Sequence, residues 1–580
     1  MLRHRLKNEG TAFLTVTLPK LSKAVLRSLE LGYFERPTCF AWKGRSLRHF
    51  RSLLNGIFDQ KDGTVLAKVD EFSLYRLRQL CEYAYKLALP FTDEQLDLHT
   101  QKYKNTENEL AVLPLDNDFI DKMRKNFHTH YKPISDAVPE DVFEHSRPRF
   151  TSGSFSGSTE LPKTFRHFAI YKQFPSSVIG LCNVKFAAYS GYFKSYPSSS
   201  EQVLSKDETG YSEVLFVPKD SRGPRVISKE PLLSLKGQMA YFDWLSSSLE
   251  KVTDRRVNFR DQQVNRNLAA TASKDLSMAT LDLKDASDRL TYKLCLKLFA
   301  YAPACRYFIN KRVDHTKLPN GEVIYLNKLA GMGSGLTFAT MALCIHLAVV
   351  TEIQLRHSWL DFRDISKQVY VYGDDLIVPV RYYDCARDSL RKIGLLVNDE
   401  KSYVFSKFRE SCGGDFYNGV DVGITRLKLT FERFKTIGRH LHFSNLKSAC
   451  LKLERHCREL ISNGMISLAE YYYTRIESVL GKLPLVRGET AFLGRHSWTG
   501  TYPEDSVGNF VPIKAWIPLP VVVEDQRTCP YKALGSCLRE VSYDYLSFLD
   551  KITGGSATEV ALPREIRLVK REVSALALLG

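Results

Sequence analysis

From about residue 210 to 430, short runs rich in β-branched and aromatic residues (EVLFVP, SMATLDL, QVYVYG, DLIVPV) alternate with stretches of helical spacing. Strand-like runs interleaved with helical ones predict an α/β or α+β core. The run LTFATMALCIHLAVV (336–350) is apolar but broken by Thr337, Thr340 and His346. It is too short to span a bilayer and is predicted to be a buried helix. Further on, apolar residues recur at Leu446, Ala449, Cys450, Leu453, Cys457, Leu460 and Ile461, the spacing that lines one helix face. Asn463 and Gly464 punctuate that helix, and ISLAEYYYTRIESVLGKL resumes another. The stretch 484–512 reads as irregular. In the tail beyond TGGSATE (553–559), REIRLVKREV is expected to be either mobile or a basic helix. TSGSFSGST (151–159) and PSSSEQ (197–202) read as loops that set a mixed N-terminal third apart from the centre. The first, following RPRF, is placed to let backbone approach a phosphate chain. No internal repeat or low-complexity tract is visible.

At 580 residues the chain is long enough for several subdomains or one large compound domain. Lys and Arg outnumber Asp and Glu by 82 to 65, a formal net charge of +17, which favours a polyanionic partner whose binding weakens with salt. The 12 cysteines occur singly, without a CxxC pair, which suits a reduced cytoplasmic setting. Cys450, His456 and Cys457 lie on a helical pattern without a second ligand pair, so buried core residues are expected there and no structural zinc. The basic start MLRHRLKNEG is followed by no apolar stretch of the kind a signal peptide needs.

VYVYGDDLIVPV (369–380) sets Asp374 and Asp375 between two apolar runs, at what reads as the tip of a hairpin. Adjacent like charges repel, and the arrangement makes sense if a divalent cation sits between them and a further acid. Asp282, at the end of the strand-like MATLDLKDASD, is that acid if the two strands lie side by side; Asp288 follows six positions on, and Asp285 reads as solvated. Carboxylates with water and phosphate oxygens suit magnesium, and two such ions about 3.5 to 4 Å apart support nucleotidyl transfer. VPKDSRGPRVISKEP (217–231) gathers Lys219, Arg222, Arg225 and Lys229, enough cation to meet a triphosphate. In GMGSGLTFATMALC (331–344) a glycine-rich turn leads into a helix, where backbone N–H groups can approach a phosphate or sugar. Lys401 is placed to reach a leaving pyrophosphate as a general acid.

The ordered set VPKDSRGPR, DLKDASD, GMGSGLTF, YGDD and FRESCGGDFYNGVDV resembles the RNA-dependent RNA polymerase catalytic subunit of the small single-stranded RNA bacteriophages, the leviviruses. RDQQVNRNLA (260–269), KLPNGEVIY (317–325) and, outside the main span of 210–430, GTAFLTVTLPK (10–20) resemble the same family. The resemblance implies an α+β right hand of fingers, palm and thumb with an antiparallel palm sheet. It implies an N-terminal region with part of the fingers over 1–209, and fingers with a basic segment for the incoming nucleotide over 210–270. The palm would cover 271–430, with a finger insertion near 300–330, and the thumb and C-terminal region 431–580. Asp282, Asp374 and Asp375 would hold Mg²⁺, with Mn²⁺ as a possible substitute. Asp288, with Ser334 or Thr337, would sense the ribose 2′-hydroxyl, and Lys219, Arg222 and Arg225 would meet the triphosphate. Arg409, Glu410 and Tyr417 would grip the primer strand, with Cys412 structural. Two departures stand out: Ser334 where relatives carry Asn between two glycines, and Lys284-Asp285 in place of a small-residue pair. The implied partners are RNA template and product, ribonucleoside triphosphates, host elongation factors Tu and Ts and a host ribosomal RNA-binding protein. The implied location is the cytoplasm of a bacterial host, without a membrane.

Two other readings compete. A reverse transcriptase also places paired aspartates on a hairpin, but it is expected to exclude the 2′-hydroxyl with a bulky side chain, where this chain has polar Asp288. A non-catalytic RNA-binding or packaging protein would use the positive charge and aromatic residues to bind and stack on RNA, and would be indifferent to loss of Asp374.

Overall fold

The computed structural model describes residues 2–43, 46–47, 50–87, 89–145, 210–220, 223–428, 443–486, 493–496, 512–522 and 564–574. The loops at 151–159 and 197–202, and Arg222, lie outside these residues. In chain order the principal elements are helices α1 (Leu18–Leu31), α2 (Glu71–Glu82), α3 (Asp93–Val112) and α4 (Asn117–His130), strands β1 (Ser212–Asp220) and β2 (Gly223–Lys229), and helices α5 (Leu232–Val252) and α6 (Gln263–Asp275). Strands β3 (Met278–Leu281), β4 (His315–Lys317) and β5 (Val323–Tyr325) precede helix α7 (Thr337–Arg356). Strands β6 (Tyr370–Tyr372) and β7 (Asp375–Pro379), helix α8 (Tyr383–Lys392), and strands β8 (Phe408–Ser411), β9 (Gly414–Tyr417) and β10 (Val420–Asp421) follow. Helices α9 (Phe443–Ser462) and α10 (Ile466–Leu480) and strands β11 (Pro512–Val522) and β12 (Arg564–Ser574) complete the set.

The class is α+β, and its central sheet is antiparallel. Strand β7 lies between β3 and β6, with Leu281 opposite Leu376 and Tyr372 opposite Asp375. On the far side of β3, Thr280 exchanges backbone hydrogen bonds with Tyr403, and Leu283 bridges Val397. A second sheet runs β2-β1-β4-β5, so the 315–325 hairpin joins the basic 212–229 hairpin. A third is the meander β8-β9-β10.

Helix α7 packs beneath the central sheet. Its residues are apolar almost all round, so every face must be buried, and from Ala339 to Ile353 every one of them is. By length and composition it could cross a membrane, yet most of it lies inside the protein core, which is the behaviour of a central helix. Its polar members are all partnered: Glu352 accepts from Arg356 (2.8 Å) and Lys392 (2.6 Å), and His346 takes the Tyr131 hydroxyl on Nδ1 (2.7 Å).

Burial holds the His346 imidazole down at about 4, from an ordinary 6.5. The unfolded chain therefore binds a proton near pH 6.5 that the native state refuses until about 4, so stability falls as pH drops through that window. The full loss is about 3 kcal/mol. In His346→Phe, the slope of unfolding free energy against pH between 6.5 and 4 should be shallower than in the wild type, as read by urea denaturation.

The helices before residue 209 pack in more than one place. Phe119, Ile120, Met123 and Phe127 of α4 share one core with α5, β3 and α7. Helices α1 and α2 pack instead on Tyr403, Phe408, Tyr417 and Val422. Helices α9 and α10 form a separate core with Leu87 and Leu427, which includes buried Cys450 and Cys457; His456 there bonds the Tyr83 hydroxyl at 2.9 Å.

The tail segment 564–573 is a strand, not a basic helix. Residues 564–574 pair antiparallel with 512–522, Ile566 opposite Pro520 and Val569 opposite Ile517. The β-branched residues at 566, 569 and 573 suit a strand, and a partner strand nearly fifty residues upstream outweighs a helical pattern judged locally.

Candidate active site

The hairpin carrying the paired acids turns through two residues, Gly373 and Asp374. Gly373 sits at φ +65°, the conformation that the first central position of a II′-type hairpin loop reserves for glycine. A Cβ there would also lie 2.2 Å from the Phe338 ring. Gly373→Ala is therefore expected to cost about 1–2 kcal/mol in backbone strain alone, more once the ring is displaced. Thermal denaturation should show the loss, and a variant as stable as the wild type would contradict this account of the turn.

The hairpin puts Asp374 at the tip and Asp375 at the first position of β7, with Asp282 one residue past the end of neighbouring β3. Asp282 is held from the opposite side. Its Oδ2 accepts from Asn398 Nδ2 at 2.7 Å and pairs with Lys401 Nζ at 3.4 Å, while its backbone N–H donates to Ser402 Oγ. Asp375 Oδ2 accepts the backbone N–H of Cys412 at 3.0 Å. That N–H is aimed by the β8–β9 turn, where Cys412 and Gly413 both have positive φ, as a two-residue I′-type loop requires.

The three acids feel one another. Burial, and after it the charges of Asp374 and Asp282, push the Asp375 carboxyl up to about 6 against the opposing Cys412 N–H. Asp374 is raised by burial and then by Asp282, with Lys401 and Arg225 opposing. Burial works against the Lys401 proton, but Glu410, Asp282 and Asp375 together hold it more tightly than in water. Glu410 is pushed up to about 7 by burial and by Asp415. Among the described residues, no three His, Cys, Asp or Glu side chains stand together as a ready-formed metal cage.

Of the basic residues, Arg225 is exposed on β2 with its charge felt at Asp374, and Lys219 is exposed near the end of β1. Lys229 is committed to Glu213 (3.8 Å). Asp285 is exposed and paired with Lys102 at 2.9 Å.

Several expected contacts are redirected by burial. The Ser334 hydroxyl donates to Gln238 Oε1 (2.8 Å), and Thr337 Oγ1 bonds the Ala330 and Gly331 carbonyls, so both face the interior. The glycines of GMGSG serve backbone packing: a Cβ on Gly331 would meet Ser228 Oγ at 2.0 Å, and one on Gly335 would meet the Gln238 carbonyl oxygen at 2.6 Å. Arg409 is fully buried and donates to the carbonyls of Met278, Val404, Ser406 and Phe408, which leaves it nothing with which to grip a primer. Tyr417 belongs to the core under α1 and α2. Glu410, by contrast, is part of the acid cluster's electrostatic field.

Asn398 and Ser402 carry no motif of their own, and only their approach to Asp282 marks them; the Cys412 N–H lies inside FRESCGGDFYNGVDV, and its role as a support for Asp375 shows only in the fold. Buried Lys328, bonded to Asp288 at 2.8 Å, was signalled only by its position just ahead of the glycine turn.

Fold and site together define an α+β protein whose chemistry is an acid cluster at one end of an antiparallel sheet, faced by lysine and arginine. Residues 64–435 match the family described as RNA replicase, beta-chain, and the chain belongs to that family. It is 30% identical over 226 residues to the RNA-directed RNA polymerase subunit beta of Escherichia virus Qbeta, covering 39% of this chain and 36% of that one. To the corresponding subunit of Qbeta virus strain MX1 it is 26% identical over 360 residues, covering 62% and 57%. The chain thus spans between about a third and somewhat over half of these relatives' lengths. A human picobirnavirus RNA-dependent RNA polymerase superposes with a TM-score of 0.37 at 13% identity, covering 66% of this chain and 75% of that one, too remote for any inference about residues.

Proposed function

We propose that this protein is the template-directed RNA polymerase of a positive-strand RNA phage, copying RNA with ribonucleoside triphosphates. The observation that carries the reading is Asp282, Asp374 and Asp375 brought to one end of β3 and β7 in a chain of the RNA replicase beta-chain family.

The donor set fits divalent magnesium, with manganese as substitute: three hard carboxylates, two of them raised by burial and by mutual repulsion, a state that bound cation would relieve. Asp282, Asp374 and Asp375 would hold it. When bound, the metal supplies Lewis-acid stabilisation of the charge that develops on the phosphoryl oxygens.

The chain's own residues do the rest. Arg225 offers its guanidinium to the triphosphate beside the acids, with Lys219 on the same hairpin. Lys401 keeps its proton through its acidic neighbours and is available to donate it to the departing pyrophosphate. Asn398 fixes the Asp282 carboxylate, and the Cys412 N–H fixes that of Asp375, so neither has to be reoriented during the reaction. Asp288, only partly buried, is the acceptor proposed for the ribose hydroxyl.

The name "subunit beta" borne by the relatives supports a multisubunit enzyme. Host elongation factors Tu and Ts and a host ribosomal RNA-binding protein are the partners proposed, in the cytoplasm of a bacterial host. The test is incorporation of labelled nucleotides on defined RNA templates, with Mg²⁺ or Mn²⁺ and with or without host extract. Ribonucleotide-dependent RNA synthesis is expected; a preference for deoxyribonucleotides, or no synthesis under any of these conditions, overturns the reading.

A further inference from the structure

Lys328 has no solvent exposure, yet it carries a charged head. Its Nζ lies 2.8 Å from Asp288 Oδ1, 3.1 Å from Glu107 Oε1 and 3.6 Å from the centre of the Tyr103 ring. A lone ammonium in such a place would lose its proton, and these neighbours keep it charged. The two carboxylates are not equivalent. Glu107 is buried, and its Oε2 also accepts the backbone N–H groups of Asn327 (2.6 Å) and Lys328 (3.3 Å). Asp288 keeps 23% of its side chain exposed, and Oδ1 is the oxygen that meets the lysine. One ammonium shared between two carboxylates leaves the triad with an excess negative charge, and the exposed member is where it can meet a ligand.

The lysine is itself immobile. Asn327 accepts the Tyr292 N–H through its backbone carbonyl, and Leu329 donates its N–H to the Leu290 carbonyl, so the segment bearing Lys328 is tied just downstream of Asp288. Glu107 clamps it from α3. The ammonium thus reaches Asp288 from a fixed point.

We propose that Lys328 is a positioning residue for sugar selection: by holding Oδ1 it orients the Asp288 carboxylate so that the other oxygen meets the 2′-hydroxyl of an incoming ribonucleotide. This rests on the polymerase reading above. Orientation matters because a swivelled carboxylate turns its acceptor lone pairs away from the hydroxyl, and a charge-assisted bond from a fixed ammonium holds it better than a neutral donor would. Glu107 Oε2 holds the backbone of 327–328 while Oε1 shares the ammonium, and Glu107→Gln keeps an oxygen acceptor for that backbone and leaves Asp288 as the carboxylate paired with Lys328.

The test measures kcat and KM for ATP and dATP on one RNA template with the full-length wild type, Lys328→Met, Lys328→Gln, Glu107→Gln and Asp288→Asn. Lys328→Met is expected to lower the ribo-to-deoxy ratio of kcat/KM about tenfold or more, mainly through a higher KM for ATP, with dATP incorporation little changed. Asp288→Asn should move the ratio the same way. Glu107→Gln should leave it close to wild type. If Lys328→Met does not fold, Lys328→Gln carries the test, because it removes the charge while keeping a hydrogen-bond donor; its ratio should fall too. An unchanged ratio in every folded Lys328 variant, or an equal fall in Glu107→Gln, overturns the proposal. Failure of the wild type to incorporate either nucleotide instead overturns the polymerase reading itself.

Discussion

Asp374→Asn is expected to reduce nucleotide incorporation by roughly three orders of magnitude or more while leaving RNA binding intact. The substitution keeps the shape of the side chain at the hairpin tip, so Gly373 and the register of β6 with β7 are undisturbed. It removes one negative charge from a site where Asp282 raises the proton affinity of Asp374, and Asp374 and Asp282 raise that of Asp375. RNA binding draws on a net charge of +17 spread through the chain, which one added unit barely changes. Incorporation assays paired with filter binding at several salt concentrations separate the two effects. Retention of more than about a tenth of the activity would show that the acid cluster is not where phosphoryl transfer occurs, and would favour a binding protein.

The largest effect on stability is expected from Arg78→Met, a loss of about 3–5 kcal/mol. Arg78 is almost wholly buried, donates to Asp415 Oδ2 at 2.6 Å and to the Val422 carbonyl at 2.8 Å, and lies over the Phe408 ring. Removing it strands the Asp415 carboxylate in the interior. The damage should reach the site, because Asp415 lies near the start of β9, just past the turn that carries Cys412, whose N–H holds Asp375. Activity should therefore fall together with the denaturation midpoint. In the double variant Arg78→Met with Asp415→Leu, no charge is left unpaired, and most of the stability should return. A loss below about 1 kcal/mol in the single variant would mean that water reaches the carboxylate and that the α2–β9 contact is not a buried ion pair.

The parts of the site that could be read in advance are those whose cause is local. A glycine before two acids between apolar runs encodes its own turn, and the hairpin at 373–374 follows from φ preference and period-two alternation. Asp282 was legible because it closes a short apolar strand. Helix α7 was legible because no face of it could be left in water.

Ser334, Thr337, Arg409 and Tyr417 fared differently: each sits inside a motif, but each is turned inward by partners the motif does not contain. Gln238 receives the Ser334 hydroxyl from 96 positions away, and Met278 accepts from Arg409 across 131. The helical reading of 564–573 failed for the same reason, since its strand partner begins at residue 512.

The amino-acid order alone determined the positive charge, the acidic hairpin, the buried central helix and the α+β class, because each follows from propensities and solvent preferences acting over a few residues. Tertiary structure alone decided which polar side chains face the acids and which are consumed by the interior. A charged group buried in a low-dielectric core must be paired, and its pair, as with Arg78 and Asp415 337 residues apart or Lys328 and Glu107 221 apart, is brought to it only by the completed fold.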